Sequence, residues 1–133
     1  MRDPNNPCLF CNTPKEEFIF ENKLAFVTFD SYPVSKFHSL IIPKRHVQNY
    51  FDITNDELLA CHDLLSKIKN KIISDDKVVN GFNIGTNSGK TAGQSILHCH
   101  IHLIPRRKGD VENPQGGVRG VIPSKQYYTR KSK

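Results

Sequence analysis

Apolar residues fall along the chain in short alternating runs broken by one longer helical stripe. Phe18-Ile19-Phe20 and Leu24-Ala25-Phe26-Val27-Thr28-Phe29 are rich in aromatic and β-branched residues and predict two strands joined around Glu21-Asn22-Lys23. A loop containing Pro33 follows, then a third strand, Ser39-Leu40-Ile41-Ile42, stopped by Pro43. The spacing predicts one helix over 55–73. Thr54-Asn55-Asp56-Glu57 reads as its capping box. Leu58, Cys61, Leu65, Ile68 and Ile72 recur at steps of three and four and form one apolar stripe, with Asp63 and Lys67 spaced to pair on the outer face. His62 lies beside the stripe as an ordinary helix-surface residue. A fourth strand spans Val78 to Ile84, a glycine-rich loop runs from Asn83 to Gln94, and a last strand runs from Ser95 to Ile104. This order predicts an α+β fold, an antiparallel sheet with one main helix packed on it.

The last strand carries the chemistry. His98-Cys99-His100-Ile101-His102 holds half of the six histidines. Side chains on a strand alternate between faces, so the three imidazoles share one face while Cys99, Ile101 and Leu103 point to a core. Imidazoles in a row pack poorly, because each ring is polar and needs partners. They suit metal binding, nucleophilic attack or proton transfer near neutral pH.

At 133 residues the chain is read as one domain, 1–133, with 107–133 as a basic irregular arm. No apolar run approaches transmembrane length, and Met1-Arg2-Asp3-Pro4 lacks a signal-peptide pattern, so no membrane association and a cytoplasmic location are expected. Cys61 and Cys99 fall inside apolar patterns and read as buried thiols of a reducing compartment. Residues 1–105 carry eleven Lys/Arg and eleven Asp/Glu, and residues 106–133 carry eight and two, so the net charge of +6 lies wholly after the histidine run, down to Arg130-Lys131-Ser132-Lys133. Such a segment suits a polyanion. It has no recognition-helix pattern, which argues against nucleic acid as the partner.

The histidine run resembles the histidine-triad motif of the HIT superfamily. Asn83-Ile84-Gly85, Ala92-Gly93-Gln94-Ser95, Pro105-Arg106 and the stretch Phe37 to His46 are similar to that family's flanking segments, in the same order. The resemblance implies a small α+β fold, a homodimer, and hydrolysis of dinucleoside polyphosphates or nucleoside phosphoramidates at the α-phosphate. By the same resemblance His100 is the nucleophile that carries a nucleotidyl intermediate, with its other nitrogen held by a backbone carbonyl. His102 hydrogen-bonds a phosphate oxygen or moves a proton, and Gln94, Ser95 and Asn83 donate to phosphate. Asp30 takes the ribose hydroxyls of a purine nucleotide. Phe10, Phe26, Phe29 and Ile42 flank the base or belong to the core. His38 resembles a recurring family histidine with a structural hydrogen bond. Phe37 stands where the family commonly has glycine, which bears on the shape of that turn.

Cys8-x-x-Cys11 is half of a zinc site by spacing, with a redox pair or coincidence as the other readings. Some branches of the family complete such a site with the residues that here are His46 and His98. The resemblance thus implies a closed, structural zinc held by Cys8, Cys11, His46 and His98. The segment from Gly109 to Pro123 is similar to the C-terminal extension of bacterial family members, which often reaches the partner subunit's site. Arg119, with Lys125 or Arg107, would then contact distal phosphates. A nucleotidylyltransferase, or a protein that binds nucleotide or nucleic acid without catalysis, is the alternative. Transferases of this family usually replace the third histidine, which here is His102.

Overall fold

A computed structural model describes residues 7–130; Met1-Arg2-Asp3-Pro4 and Lys131-Ser132-Lys133 lie outside the described residues. The strands are β1 (Phe20–Glu21), β2 (Ala25–Phe29), β3 (Ser39–Pro43), β4 (Val79–Gly85) and β5 (Ile101–Arg107), and the helix is α1 (Asn55–Asp75). They form one sheet in the order β1-β2-β3-β5-β4, antiparallel at every pairing. No helix among the described residues is long and apolar enough to cross a membrane.

Period-two alternation gives the sheet two different faces. Ala25, Val27, Ile41, Ile101 and Leu103 meet Cys61, Leu64, Ile68 and Ile72 of α1 in the main core. On the opposite face Phe26, Leu40 and Ile42 pack with Phe10 from the N-terminal segment, and the Phe18 ring stacks on Phe26 at 4.2 Å. The first strand is therefore shorter and later than the pattern predicts, because Phe18 is drawn into this second cluster.

The helix keeps its predicted cap. Thr54 accepts from the Glu57 N–H at 3.1 Å while the Thr54 N–H donates to Glu57 at 2.8 Å. Its buried stripe is rotated by one residue from the expected one, to Glu57, Cys61, Leu64, Ile68 and Ile72. Leu58 is exposed and Leu65 only half-buried. The displaced position holds a carboxylate because Arg45, off the end of β3, grips Glu57 through two hydrogen bonds of 3.0 and 2.8 Å. A charge can be buried there because it is paired and its oxygens are satisfied. The ion pair along the outer face is Lys71–Asp75 at 3.0 Å.

The last strand starts at Ile101 rather than Ser95. The backbone before it bonds outside the sheet: the Cys99 N–H donates to Val47 O at 2.7 Å, and the Thr86 hydroxyl donates to His100 O at 2.7 Å. His98 and His100 thus precede the strand, and only His102 sits on it. After β5 the chain makes two short 3-10 turns, Gly117–Val121 and Pro123–Lys125. Gly116 between these and the strand has φ +80°, and a Cβ there would collide with Gln126 O.

Candidate functional site

Register aligns the site across the sheet. Thr28 pairs with Leu40, Leu40 with His102, and His102 with Gly85, so one row of side chains crosses β2, β3 and β5 on the face away from the helix. This row floors a cavity of about 670 Å³ whose walls include Phe10, Phe29, Asp30, Ser95, His100 and His102. Asn87, Gly93, Glu16, Glu17 and Tyr32 also line it. Thr28, Leu40 and Asn87 are lining residues that motif reading missed. The first two are recoverable in principle, since they lie on strand positions opposite a triad histidine.

Hydrogen bonds assign the imidazole tautomers. A carbonyl can only accept, so the 2.8 Å contact from His100 Nδ1 to His98 O requires a proton on Nδ1. In neutral His100 this leaves the lone pair on Nε2. Val34 donates its N–H to His38 Nδ1 at 3.1 Å, so the His38 proton sits on Nε2. That N–H donates to His102 Nδ1 at 2.9 Å, with Asp30 Oδ2 3.4 Å away. His102 therefore presents Nε2–H. Burial pushes the His102 pKa down to about 4, helped by the neighbouring His100 and His38. Burial also lowers His38, against the pull of Asp30. Asp30, His38 and His102 lie close enough to suggest a metal site, but the two nitrogens that face each other share a proton. His38 reaches this position from a turn in which Phe37 has φ +72°, the left-handed conformation that glycine adopts freely. The chain keeps the glycine-like backbone, and the Phe37 ring packs at the edge of the main core.

A second cluster lies beside the first. Cys8, Cys11, His46 and His98 bring one donor atom each to within 4.8 Å of one another. Cys8 Sγ is 3.3 Å and Cys11 Sγ 3.5 Å from His98 Nδ1, and Cys11 Sγ is 3.3 Å from His46 Nδ1. A tetrahedral ion with ordinary metal–sulfur and metal–nitrogen lengths separates S and N ligands by about 3.5 Å, so the donor set fits one. His98 donates Nε2–H to Pro43 O at 2.7 Å, which turns the Nδ1 lone pair to the sulfurs. The Cys11 N–H donates to Cys8 Sγ at 3.3 Å. Burial also holds the His98 imidazole below its ordinary pKa, in the neutral form a ligand needs. The other two cysteines are different in kind: burial pushes Cys61 up to about 12 and Cys99 up to about 11, so both are inert thiols.

Other residues picked out in the sequence lie elsewhere. Ile42 is fully buried in the cluster behind Phe10 and does not reach the cavity, and Phe26 joins it there. The Gln94 amide turns inward: its nitrogen donates to Gln48 O and Ile96 O and its oxygen accepts from the Gly89 N–H. It braces the 89–96 loop, with no donor left for a phosphate. Asn83 sits on the face of the row but accepts from Arg106 at 2.6 Å, outside the cavity lining. Arg106 in turn is held by Asp110 through two bonds of 2.8 Å. Arg119 donates to Lys125 O and Gln126 O and lies over the Tyr128 ring, so within its own chain it folds the arm and does not face the cavity. Arg107 is paired with Asp76 at 2.8 Å.

The sequence matches the HIT domain family over residues 12–109. A 16.1 kDa HIT-like protein of Mycoplasma pneumoniae is 37% identical over 106 residues, covering 77% of this chain and 73% of that one. The adenylylsulfatase HINT3 of Arabidopsis thaliana is 34% identical over 109 residues, covering 79% of this chain and 55% of that protein. A hypothetical histidine triad nucleotide-binding protein of Sulfolobus tokodaii superposes with a TM-score of 0.71 at 34% identity, over 77% of this chain and 70% of its own. A zinc-bound histidine triad family protein of Mycobacterium smegmatis superposes with a TM-score of 0.71 at 28% identity, over 80% of each chain.

Proposed function

The chain belongs to the HIT domain family, a family of nucleotide-binding proteins that includes hydrolases, and from that premise we propose that it hydrolyses nucleotides at the α-phosphate through a nucleotidyl-His100 intermediate. The observation that carries this reading is the bond from His100 Nδ1–H to His98 O, which aims an unprotonated Nε2 from a ring that lines the cavity. The Nε2 lone pair forms a bond to phosphorus, and the bond from phosphorus to the leaving group breaks with its electron pair on the leaving atom, which takes up a proton. Water then attacks the same phosphorus and gives up a proton, the P–N bond breaks, and neutral His100 returns. His102, neutral and carrying Nε2–H, serves as a donor to a non-bridging oxygen as charge builds there. Ser95, which has no hydrogen-bond partner among the described residues, supplies a second donor. Asp30 accepts from the ribose, and Phe10 and Phe29 flank the base.

The lining also bears on substrate. Among its described residues are Glu16, Glu17 and Asp30 but no Lys or Arg. A single bridging phosphate suits this cavity better than a polyphosphate, whose charge calls for cationic partners. The substrate class is thus a nucleoside phosphoramidate or adenylylated compound, in line with the adenylylsulfatase named among the relatives. A dinucleoside polyphosphate requires cations from outside the cavity, such as the arm of a second subunit. A homodimer fits β4, which forms one edge of the sheet, and the exposed Val118 and Val121 of the arm.

Zinc is the metal we assign to Cys8, Cys11, His46 and His98. Two thiolates and two imidazoles suit it, and the Mycobacterium smegmatis relative is zinc-bound. With all four positions filled by protein it supplies folding free energy rather than chemistry. The four cysteines form no disulfide, which suits a reducing cytoplasm. The test of the catalytic reading is His100→Ala. It should abolish hydrolysis of adenosine phosphoramidate while AMP affinity changes little, and turnover near the wild-type rate would refute the assignment.

A further inference from the structure

The stretch from Asn83 to Ser95 carries three carboxamides, and two of them are occupied. Asn83 accepts from Arg106 at 2.6 Å, and its nitrogen lies against the arm, where a Cβ on Gly117 would come within 3.1 Å of it. Gln94 bonds through both ends of its amide to Gly89, Ile96 and Gln48. Asn87 is the third. It is half-buried and lines the main cavity together with Ser95, His100 and His102. Its side chain has no hydrogen-bond partner among the described residues. Its place is fixed from both sides. The Thr86 hydroxyl donates to His100 O at 2.7 Å, which ties the preceding residue to the backbone of the nucleophile itself. Two residues further on, the Gly89 N–H donates to Gln94 Oε1 at 2.9 Å, and Gly89 O accepts from the Gln94 N–H at 3.1 Å.

We propose that Asn87 is a further catalytic residue, whose side-chain N–H donates to a non-bridging oxygen of the α-phosphate. The proposal rests on the reading of this cavity as the place where His100 attacks phosphorus. Donors to the non-bridging oxygens act best when they already stand in place as charge builds there. A loop tied at Thr86 to the nucleophile and at Gly89 to the buried Gln94 holds its residues in that way. His102 and Ser95 supply one donor each, and two phosphate oxygens have lone pairs for more than two. A carboxamide suits a cavity whose described lining has no Lys or Arg. It donates without adding charge, and it keeps both of its hydrogens throughout the reaction. The amide of Asn87 thus does for the phosphate what the amides of Asn83 and Gln94, turned to other partners, do not.

The experiment measures binding of adenosine and of AMP by calorimetry, and hydrolysis of adenosine phosphoramidate, for wild type, Asn87→Ala and Asn87→Asp. The Asn87 side chain bonds to nothing among the described residues, so both variants should fold; thermal melts check this. Adenosine lacks the phosphate, so its affinity reports the nucleoside end alone. Asn87→Ala should leave adenosine affinity unchanged and weaken AMP by roughly tenfold, the scale of one hydrogen bond to a charged group. It should lower kcat/KM by roughly a hundredfold, the scale of one lost donor to a developing charge. Asn87→Asp should weaken AMP further, because a carboxylate repels the phosphate. If a variant melts early, the side-chain amide NMR signal of Asn87 in the wild type decides: AMP should move it and adenosine should not. The binding arms require no turnover. If no phosphoramidate is hydrolysed and no label is trapped on His100, the hydrolase reading fails while the difference between AMP and adenosine still decides Asn87. An AMP affinity unchanged in Asn87→Ala, or equal losses for AMP and adenosine as a merely structural role would give, would overturn the assignment.

Discussion

Lowering the pH from 7 to 4 protonates the imidazoles of an unfolded chain before it protonates folded His102. Unfolded histidine has a pKa near 6.5, and burial holds folded His102 at about 4. The folded value is depressed, so the stabilisation is present above pH 6.5 and is lost as the pH falls through 4. Two protonation equilibria with these constants imply a loss of about 2 kcal/mol between pH 7 and pH 5 and about 3 kcal/mol by pH 4. The groups facing His102 are His38, Asp30 and His100. His38 is depressed as well, by burial, and adds loss in the same direction. The assay is urea unfolding at half-unit steps of pH for wild type and for His102→Gln, whose side chain does not titrate. Carboxylates and the Cys/His cluster are common to both proteins and cancel in the difference. Wild type should lose at least 2 kcal/mol more than the variant between pH 7 and 4. Parallel curves would show that folded His102 titrates like a solvated histidine and would refute its assignment as a neutral donor.

Three further outcomes follow from the same contacts. His38→Ala removes the donor that orients His102, and should lower kcat by about a hundredfold with little change in KM, the scale of a misplaced catalytic group; a change confined to KM would contradict that role. Gln94→Ala should destabilise the fold by about 2 kcal/mol in urea, because it removes a buried amide that bonds to Gln48 O, Ile96 O and the Gly89 N–H. A Gln94→Ala protein of full stability with collapsed kcat would instead put that amide on the phosphate. Elemental analysis of protein purified without chelator should find about one zinc per chain, and Cys8→Ser should lower the melting temperature more than the rate, since a closed metal site contributes to folding. Metal-free protein with an unchanged melting temperature would remove the site.

Much of the architecture is legible along the chain because local signals agree. Thr54 and Glu57 announce the helix start and form the cap they predict. The alternation in 39–42 and 101–104 separates a helix-facing set from a site-facing set. The helix stripe is read one residue off because Leu64 and Leu65 both satisfy the spacing, and at the start of the helix Leu58 lies three residues and Glu57 four from Cys61, so the apolar residue is the natural choice. What breaks the tie is Arg45, twelve residues before Glu57 and across a turn, which makes the polar position the buried one. The three histidines show where the chemistry lies but not their different states. Those depend on their separate partners, two of them far along the chain: Pro43 O for His98 and His38 for His102, with the nearby His98 O for His100. Gln94 and Arg119 sit in matching motifs, yet each finds backbone carbonyls nearby that use up its donors. No spacing rule reports whether a long polar side chain turns inward to its own loop or outward to a ligand.

Trapping the covalent intermediate tests the central claim most directly. Adenosine phosphoramidate labelled at the α-phosphorus is mixed with excess protein and quenched in denaturant at alkaline pH, where phosphoramidate bonds to imidazole survive, and the labelled peptide is sequenced. The account predicts label on His100 in the wild type, formed before AMP appears, and none in His100→Ala. Hydrolysis without any protein-bound label, or label on another residue that persists in His100→Ala, would contradict it.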